Sequence, residues 1–206
     1  MRSIRARSVS TVDQRLAWAL VIGTIPGAVA GAALEGFITD NLGQPWLIAI
    51  MLAVFGVVLY AVDRLAPIRR TMEDATVRDG AVLGIAQAIA LQPGVSRSGV
   101  TITAGRIVGF DRPSAARFSF LLSLPIIAGA GVFKGIDLVR TGMPVGMAGP
   151  FLWGMIASAI SGFLVIWFLL AYLRTRDFAI FMWYRLAVAA LVFAVIAVGL
   201  RPAGGL

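Results

Sequence analysis

Histidine and cysteine are both absent from this sequence of 206 residues. Without cysteine there are no disulfides and no thiol chemistry. Without histidine there is no imidazole base, no Ser-His-Asp triad and no histidine metal ligand. Acidic residues are scarce, 10 against 18 basic ones, and charged residues of both signs make up only 14% of the chain. A soluble domain carries about 25%. The remainder is apolar, at 59%. That balance describes an integral membrane protein, and the length describes one membrane domain over 1–206, because the loops are too short to fold alone. The net charge is +8 and Lys134 is the single lysine, so the positive charge is almost all arginine. These arginines lie between apolar segments rather than along one polar face. They read as positive-inside loops in contact with anionic lipid, and not as a nucleic-acid surface.

A spanning helix needs about 20 mostly apolar residues. Five stretches are predicted to span: 16–38, 46–62, 118–133, 151–173 and 178–200. Pro26 is expected to kink the first and Pro125 to interrupt the third. Residues 1–15 form a basic segment with Arg2, Arg5, Arg7 and Arg15. Together with the apolar residues after it, this segment imitates a secretory signal, but the apolar pattern continues and favours a first spanning helix. A polar loop is expected over 63–80, and Asp111 is expected to cap a helix with Pro113 in its first turn. The N-terminus, the 63–80 loop, Arg106, Arg112, Arg117, Arg174 and Arg176 all fall on one side of such a topology. The positive-inside rule then places the N-terminus in the cytoplasm, with Lys134 and Arg140 against the trend. The expected fold class is an all-α polytopic membrane protein.

One stretch departs from this plan. Residues 91–101 read LQPGVSRSGVT, with apolar arms on either side that are too short to cross a bilayer. Arms of that length around a Pro-Gly break describe a re-entrant helical hairpin over 80–110. Backbone that leaves a helix at membrane depth must be buried in protein or line a polar cavity. The second arm is expected to start around 98–100 and to aim free N–H groups at its surroundings. Gly94 and Gly99 would allow close approach of a ligand to the backbone. Ser96, Ser98 and Thr101 supply hydroxyls, and Arg97 supplies a planar fork suited to two phosphate oxygens. Together they describe a phosphate site. The alternative is a plain turn in which a serine caps the second arm and Arg97 pairs with a carboxylate or reaches the surface.

The string GIAQAIALQPGVSRSGVTITAGRIVGF (84–110) resembles the second signature of the bacterial undecaprenyl-diphosphate phosphatases, once described as bacitracin-resistance proteins. Ala86, Gln87, Pro93, Gly94, Ser96, Arg97, Ser98, Gly99 and Thr101 carry that likeness. TIPGAVAGAALEGFI (24–38), ARFSFLLSLP (116–125) and WYRLAVAA (183–190) extend it over nearly the whole chain. The resemblance implies hydrolysis of undecaprenyl diphosphate to undecaprenyl phosphate in the bacterial inner membrane, in support of cell-wall synthesis and bacitracin resistance. It implies Ser96 and Arg97 as catalytic residues, Gly94, Ser98, Gly99 and Thr101 as phosphate ligands, and Gln87 as a supporting residue behind them. Whether Ser96 is nucleophile or ligand stays open. A divalent cation, Mg or Ca, and an inverted-repeat architecture are implied as well, with a second copy of the chain as a candidate partner.

The family's first signature, Glu-x-x-x-Glu followed by Pro-x-Ser-Ser-x-Gly-His, has no counterpart in this sequence. With it go the carboxylates expected to bind the metal or act as base, so no metal ligand is assigned. Glu35 is the one acid placed within a predicted span, near the far end of the first helix. Two expectations follow. Met1 would be a late start with the missing hairpin encoded upstream, or the chain would be a catalytically impaired lipid-phosphate binder or half of a transporter. A structural membrane subunit is the third reading.

Overall fold

A computed structural model describes residues 11–144 and 146–200. Most of the basic segment expected over 1–15, with Arg2, Arg5 and Arg7, lies outside them, as does the side chain of Glu35. The described chain is helical: α1 (Val12–Asn41), α2 (Pro45–Leu65), a 3-10 turn (Met72–Asp74), α3 (Val77–Ile89), α4 (Arg97–Ile107), α5 (Arg112–Thr141), α6 (Ala148–Tyr172) and α7 (Ala179–Ala197). Five of these, α1, α2, α5, α6 and α7, are long and apolar enough to cross a membrane. They match the five predicted spans; the helix over the third runs well beyond 118–133, and the last is shorter than 178–200. The protein is an all-α, multi-pass membrane protein.

Several helices start where local chemistry provides a cap. Thr11 and Gln14 form a capping box on α1, and Thr76 and Asp79 form one on α3. Asp111 accepts from the Ser114 N–H at the start of α5, with Pro113 in the first turn as the sequence suggested. Two expectations are corrected. α5 runs on through Pro125, which therefore does not interrupt the third span; α1 likewise continues through Pro26. The polar loop is shorter than 63–80, because Asp63 closes the buried end of α2 and Asp79 belongs to α3.

α3 and α4 are two short helices joined at residues 90–96, a helical hairpin close to the expected 80–110. At 13 and 11 residues they are about 20 and 17 Å long, against a hydrocarbon core of about 30 Å. α3 lies on α1 along a seam of small residues. A Cβ on Gly23 would sit 2.5 Å from the Gly80 carbonyl oxygen and 2.8 Å from Leu122, and Gly84 stands directly against the Gly23 backbone. Small residues at such spacing let two membrane helices approach at backbone distance. Farther along the seam, Gly27 meets Gln87 and Gly31 meets Leu91.

The feet of the hairpin are tied together at one end of the bundle. Arg70 and Phe110 form an isolated bridge, with the Arg70 N–H donating to the Gly109 carbonyl and the Asp111 N–H to the Arg70 carbonyl. The Arg70 guanidinium lies 4.6 Å from the Phe110 ring centroid and donates to both oxygens of Asp79, at 2.8 and 2.6 Å. Asp63, 2% exposed, accepts from Arg106 at 3.0 Å and from Arg112 at 2.9 Å. Arg64 pairs with Asp177 at 2.7 Å, and Arg15 donates to the Glu73 carbonyl. One end of the bundle therefore collects the arginines. The hairpin tip lies toward the other end, where Gln92 donates to the Leu42 carbonyl and Gly94 sits on the Ile48 carbonyl.

Burial alone would raise the Asp79 carboxyl. The Arg70 fork, the Thr76 hydroxyl and the Thr76 N–H outweigh it and hold Asp79 below the usual carboxylate range. A group depressed on folding stabilises fully above its unfolded value of about 3.9 and loses that contribution as pH falls through its folded value. Asp79→Asn is expected to cost about 2 kcal/mol at neutral pH. It should also flatten the loss of stability below about pH 4, read as thermal unfolding in detergent across a pH series.

Candidate phosphate site at the helical break

The break occupies residues 90–96, and its polar groups are largely spoken for. The N–H groups of Ala90, Leu91 and Gln92 donate to carbonyls in the last turn of α3, and that of Val95 donates to Gln92. Gly94 turns the chain at φ +92°, a conformation that L side chains rarely adopt. Its contact with Ile48 leaves no room for a Cβ, so this glycine serves the turn and the packing of the tip.

Ser96 is the N-cap of α4. Its hydroxyl accepts from the Gly99 N–H at 3.3 Å and its carbonyl accepts from the Val100 N–H. Among the described residues it is the one non-glycine residue at positive φ, +65°. Backbone strain of this kind costs about 1–3 kcal/mol and gathers at functional sites. α4 thus begins at Arg97, slightly earlier than the expected 98–100. The N–H groups of Arg97 and Ser98 have no partner among the described residues, so the first turn presents free donors.

Two cavities flank this helix start, and Ser98 lines both. One, of about 320 Å³, is bordered by Ala90, Arg97, Ser119, Phe120 and Ser123. The other, of about 220 Å³, lies on the opposite side and contains Ser96, Gly99 and Arg185 against a wall of Leu59, Ile102, Leu169, Phe178 and Phe181. Arg97 is exposed and makes no ion pair within the described chain. Arg185 is only 9% exposed, and its Nη1 is buried without a hydrogen-bond partner. A Cβ on Gly99 would lie 2.7 Å from Arg185 Nη2, so glycine at 99 makes room for the guanidinium.

The residues singled out in the sequence therefore divide. Ser96, Arg97, Ser98 and Gly99 gather at the start of α4 around the two cavities. Thr101 is 1% exposed and lines neither cavity. Its hydroxyl lies 2.8 Å from the Arg97 carbonyl and 2.6 Å from Ser119 Oγ, which fastens α4 to α5. Gln87 is 3% exposed, faces Gly27, and has both amide atoms without a partner. Arg185 was not singled out in the sequence. The signal was there, a lone arginine in the apolar run 178–200, and an intramembrane charge is a functional candidate by default.

The donor set at the break is cationic and neutral: two arginines, serine hydroxyls and backbone N–H groups. Among the described residues no cluster of acidic side chains could hold a metal, and Asp63 and Asp79 are both tied to arginines. A hard divalent cation takes carboxylate oxygens. These residues do not fit one, whereas they do fit a phosphate.

A family model described as bacitracin resistance protein BacA matches residues 1–191. An undecaprenyl-diphosphatase of Anaeromyxobacter dehalogenans is 46% identical over 206 residues, covering 97% of this chain and 68% of that protein. One from Pelotomaculum thermopropionicum is 48% identical over 191 residues, covering 93% of this chain and 70% of its own. One from Geobacter sulfurreducens is 46% identical over 181 residues, covering 87% and 67%.

The strain at Ser96 is directly testable. Ser96→Gly removes the positive-φ penalty and gives up the cap for only a few tenths of a kcal/mol. Ser96→Ala keeps the strain and loses the cap, at about 1 kcal/mol. Thermal unfolding in detergent should place Ser96→Gly at or above the wild type and Ser96→Ala below it.

Proposed function

The chain belongs to the bacitracin resistance protein BacA family, and on that footing we propose that it works on undecaprenyl diphosphate, hydrolysing it to undecaprenyl phosphate and inorganic phosphate. The observation that carries this reading is the pair of arginines without protein counter-ions on either side of the α4 start. A diphosphate carries several negative charges, and a bilayer offers it no water. Two guanidinium groups, free first-turn N–H groups and serine hydroxyls supply charge compensation without rearrangement.

In the reaction the bond between the bridging oxygen and the terminal phosphorus breaks. Water supplies the new oxygen, and the bridging oxygen leaves with the lipid-linked phosphate. Arg97, on the cavity lined by Ser98, Ser119 and Ser123, is placed to hold the terminal phosphate and offset the charge that builds on its oxygens. Ser96 serves as a ligand and cap in this geometry, since its hydroxyl is engaged by the Gly99 N–H. The divalent cation that the resemblance implies finds no carboxylates around the break, so no step is routed through it.

The finer setting belongs to the same proposal. The arginine-rich end, with the 66–76 loop and the feet of the hairpin, faces the cytoplasm of the bacterial inner membrane by the positive-inside rule. Its guanidinium groups would meet anionic headgroups there. The break, which lies nearer the arginine-poor end, then opens outward. α6 touches the core only near its end, through Leu169, Leu170 and Tyr172, which leaves most of that helix to lipid or to a second copy.

Release of inorganic phosphate from undecaprenyl diphosphate in detergent tests the activity. Arg97→Lys is expected to lose about 10²–10³ in rate, because a point charge does not reproduce the bidentate fork. Tight binding of the diphosphate without turnover would instead establish a lipid-phosphate binder. A reporter placed in the 66–76 loop should read as cytoplasmic, and a periplasmic signal would reverse the topology.

A further inference from the structure

We propose that Arg185 is a second phosphate ligand, assigned to the lipid-linked phosphate, and that its cavity receives the first isoprenoid units of the substrate. This rests on the diphosphate reading above and adds a direction of binding to it.

Arg185 carries an uncompensated charge. Arginine does not give up its proton in a protein, so burial cannot neutralise it. Among the described residues every other arginine buried to a comparable degree has a carboxylate: Arg106 is 1% exposed and donates to Asp63. Arg185 is 9% exposed, shows no ion pair, and holds a buried nitrogen without a partner. It is also seated with care. Gly56 of α2 lies against its Cβ and Cδ, each 3.2 Å from where a Cβ would stand, and Gly99 lies against its guanidinium. The seat aims the fork at the first turn of α4, the positive end of a helix that begins inside the bundle. A cation and a helix N-terminus facing each other repel unless an anion stands between them.

The two cavities differ in a way that orients the ligand. The Arg97 cavity offers three serines, which suits a phosphate without an organic substituent. The Arg185 cavity has Ser96, Ser98 and Tyr184 as well, but its wall is mainly apolar, with Leu59, Ile102, Leu169, Phe178 and Phe181. An isoprenoid chain prefers that wall, so the phosphate that carries the chain belongs to Arg185. Ser98 borders both cavities and sits where the bridging oxygen would pass. The arrangement predicts that the monophosphate product keeps its Arg185 contacts after the terminal phosphate has left through the Arg97 side.

The test uses the full chain in detergent, with farnesyl phosphate and farnesyl diphosphate as probes and affinities measured by titration calorimetry. Wild type should bind both. Arg185→Met should weaken the monophosphate about 10–100-fold, the scale of lost charge-assisted hydrogen bonds. Arg97→Gln should change it less than about threefold while weakening the diphosphate strongly. Arg185→Lys, which keeps the charge in a less bulky head, should recover part of the monophosphate affinity. The ligand-free melting temperature provides a readout of opposite sign for a structural role. Removing a cation that has no partner should leave Arg185→Met as stable as wild type or more so, whereas removing a structural arginine would lower it. If wild type binds both probes and Arg185→Met binds the monophosphate as well as wild type does, or melts lower without ligand, the assignment of Arg185 is overturned and the diphosphate reading stands. If wild type binds neither probe, both are overturned.

Discussion

A peptide group that leaves a helix within a membrane domain has little water to turn to, and residues 90–96 leave the helix between α3 and α4. Nearly every feature around them answers this constraint. The end of α3 is wound tight, so that consecutive N–H groups still find carbonyls within three residues. The Gln92 side chain bonds the Leu42 and Pro93 carbonyls. Ser96 accepts a strained backbone to cap α4. The small residues of α1 and α3 then bring a whole helix up against the hairpin, so that this irregular backbone is enclosed by protein rather than lipid. A hairpin without the Ala19–Gly23–Gly27 seam would have no wall on that side.

The same constraint sorts the arginines into two groups. At the feet of the hairpin four are matched: Arg70 with Asp79, Arg64 with Asp177, and Arg106 and Arg112 together with Asp63. Asp63 lets two cations share one buried carboxylate and so locks the end of α2 to the ends of α4 and α5. At the break the pattern stops. Arg97 and Arg185 stand there without acids, beside free backbone donors. The contrast within one molecule is more informative than either group alone. Four arginines that tie helices together share three carboxylates, whereas Arg97 and Arg185 at the break have none among the described residues.

The spans and the hairpin were legible in the sequence because they follow from length and apolar content, which are local properties. Arg97, Ser96 and Ser98 were legible for the same reason, being clustered within a few residues of the break. Three things were not. Asp63 and Asp79 read as loop acids, because their burial comes from arginines that only the folded chain brings near. Thr101 read as a phosphate ligand by its place in the motif, yet its hydroxyl closes on Arg97 O and Ser119, a partner that sequence spacing does not reveal. Arg185 lies far along the chain from Gly99, and its meaning depends on what it faces. A lone charge in a span raises a question that only packing answers.

That packing assigns reasons to glycines which a motif treats alike. Gly94 supplies a positive φ and a contact with Ile48, so it is required by the turn whether or not a ligand binds. Gly99 is an ordinary helical residue that gains nothing from backbone freedom. Its lack of a side chain matters only because Arg185 fills the space, and Gly56 opposes it from α2 in the same way. α2, α4 and α7 therefore specify one another through a single guanidinium. Two glycines on two other helices make room for Arg185, at the entropic cost glycine carries in a helix. On the proposed role, the seat holds the fork at the start of α4.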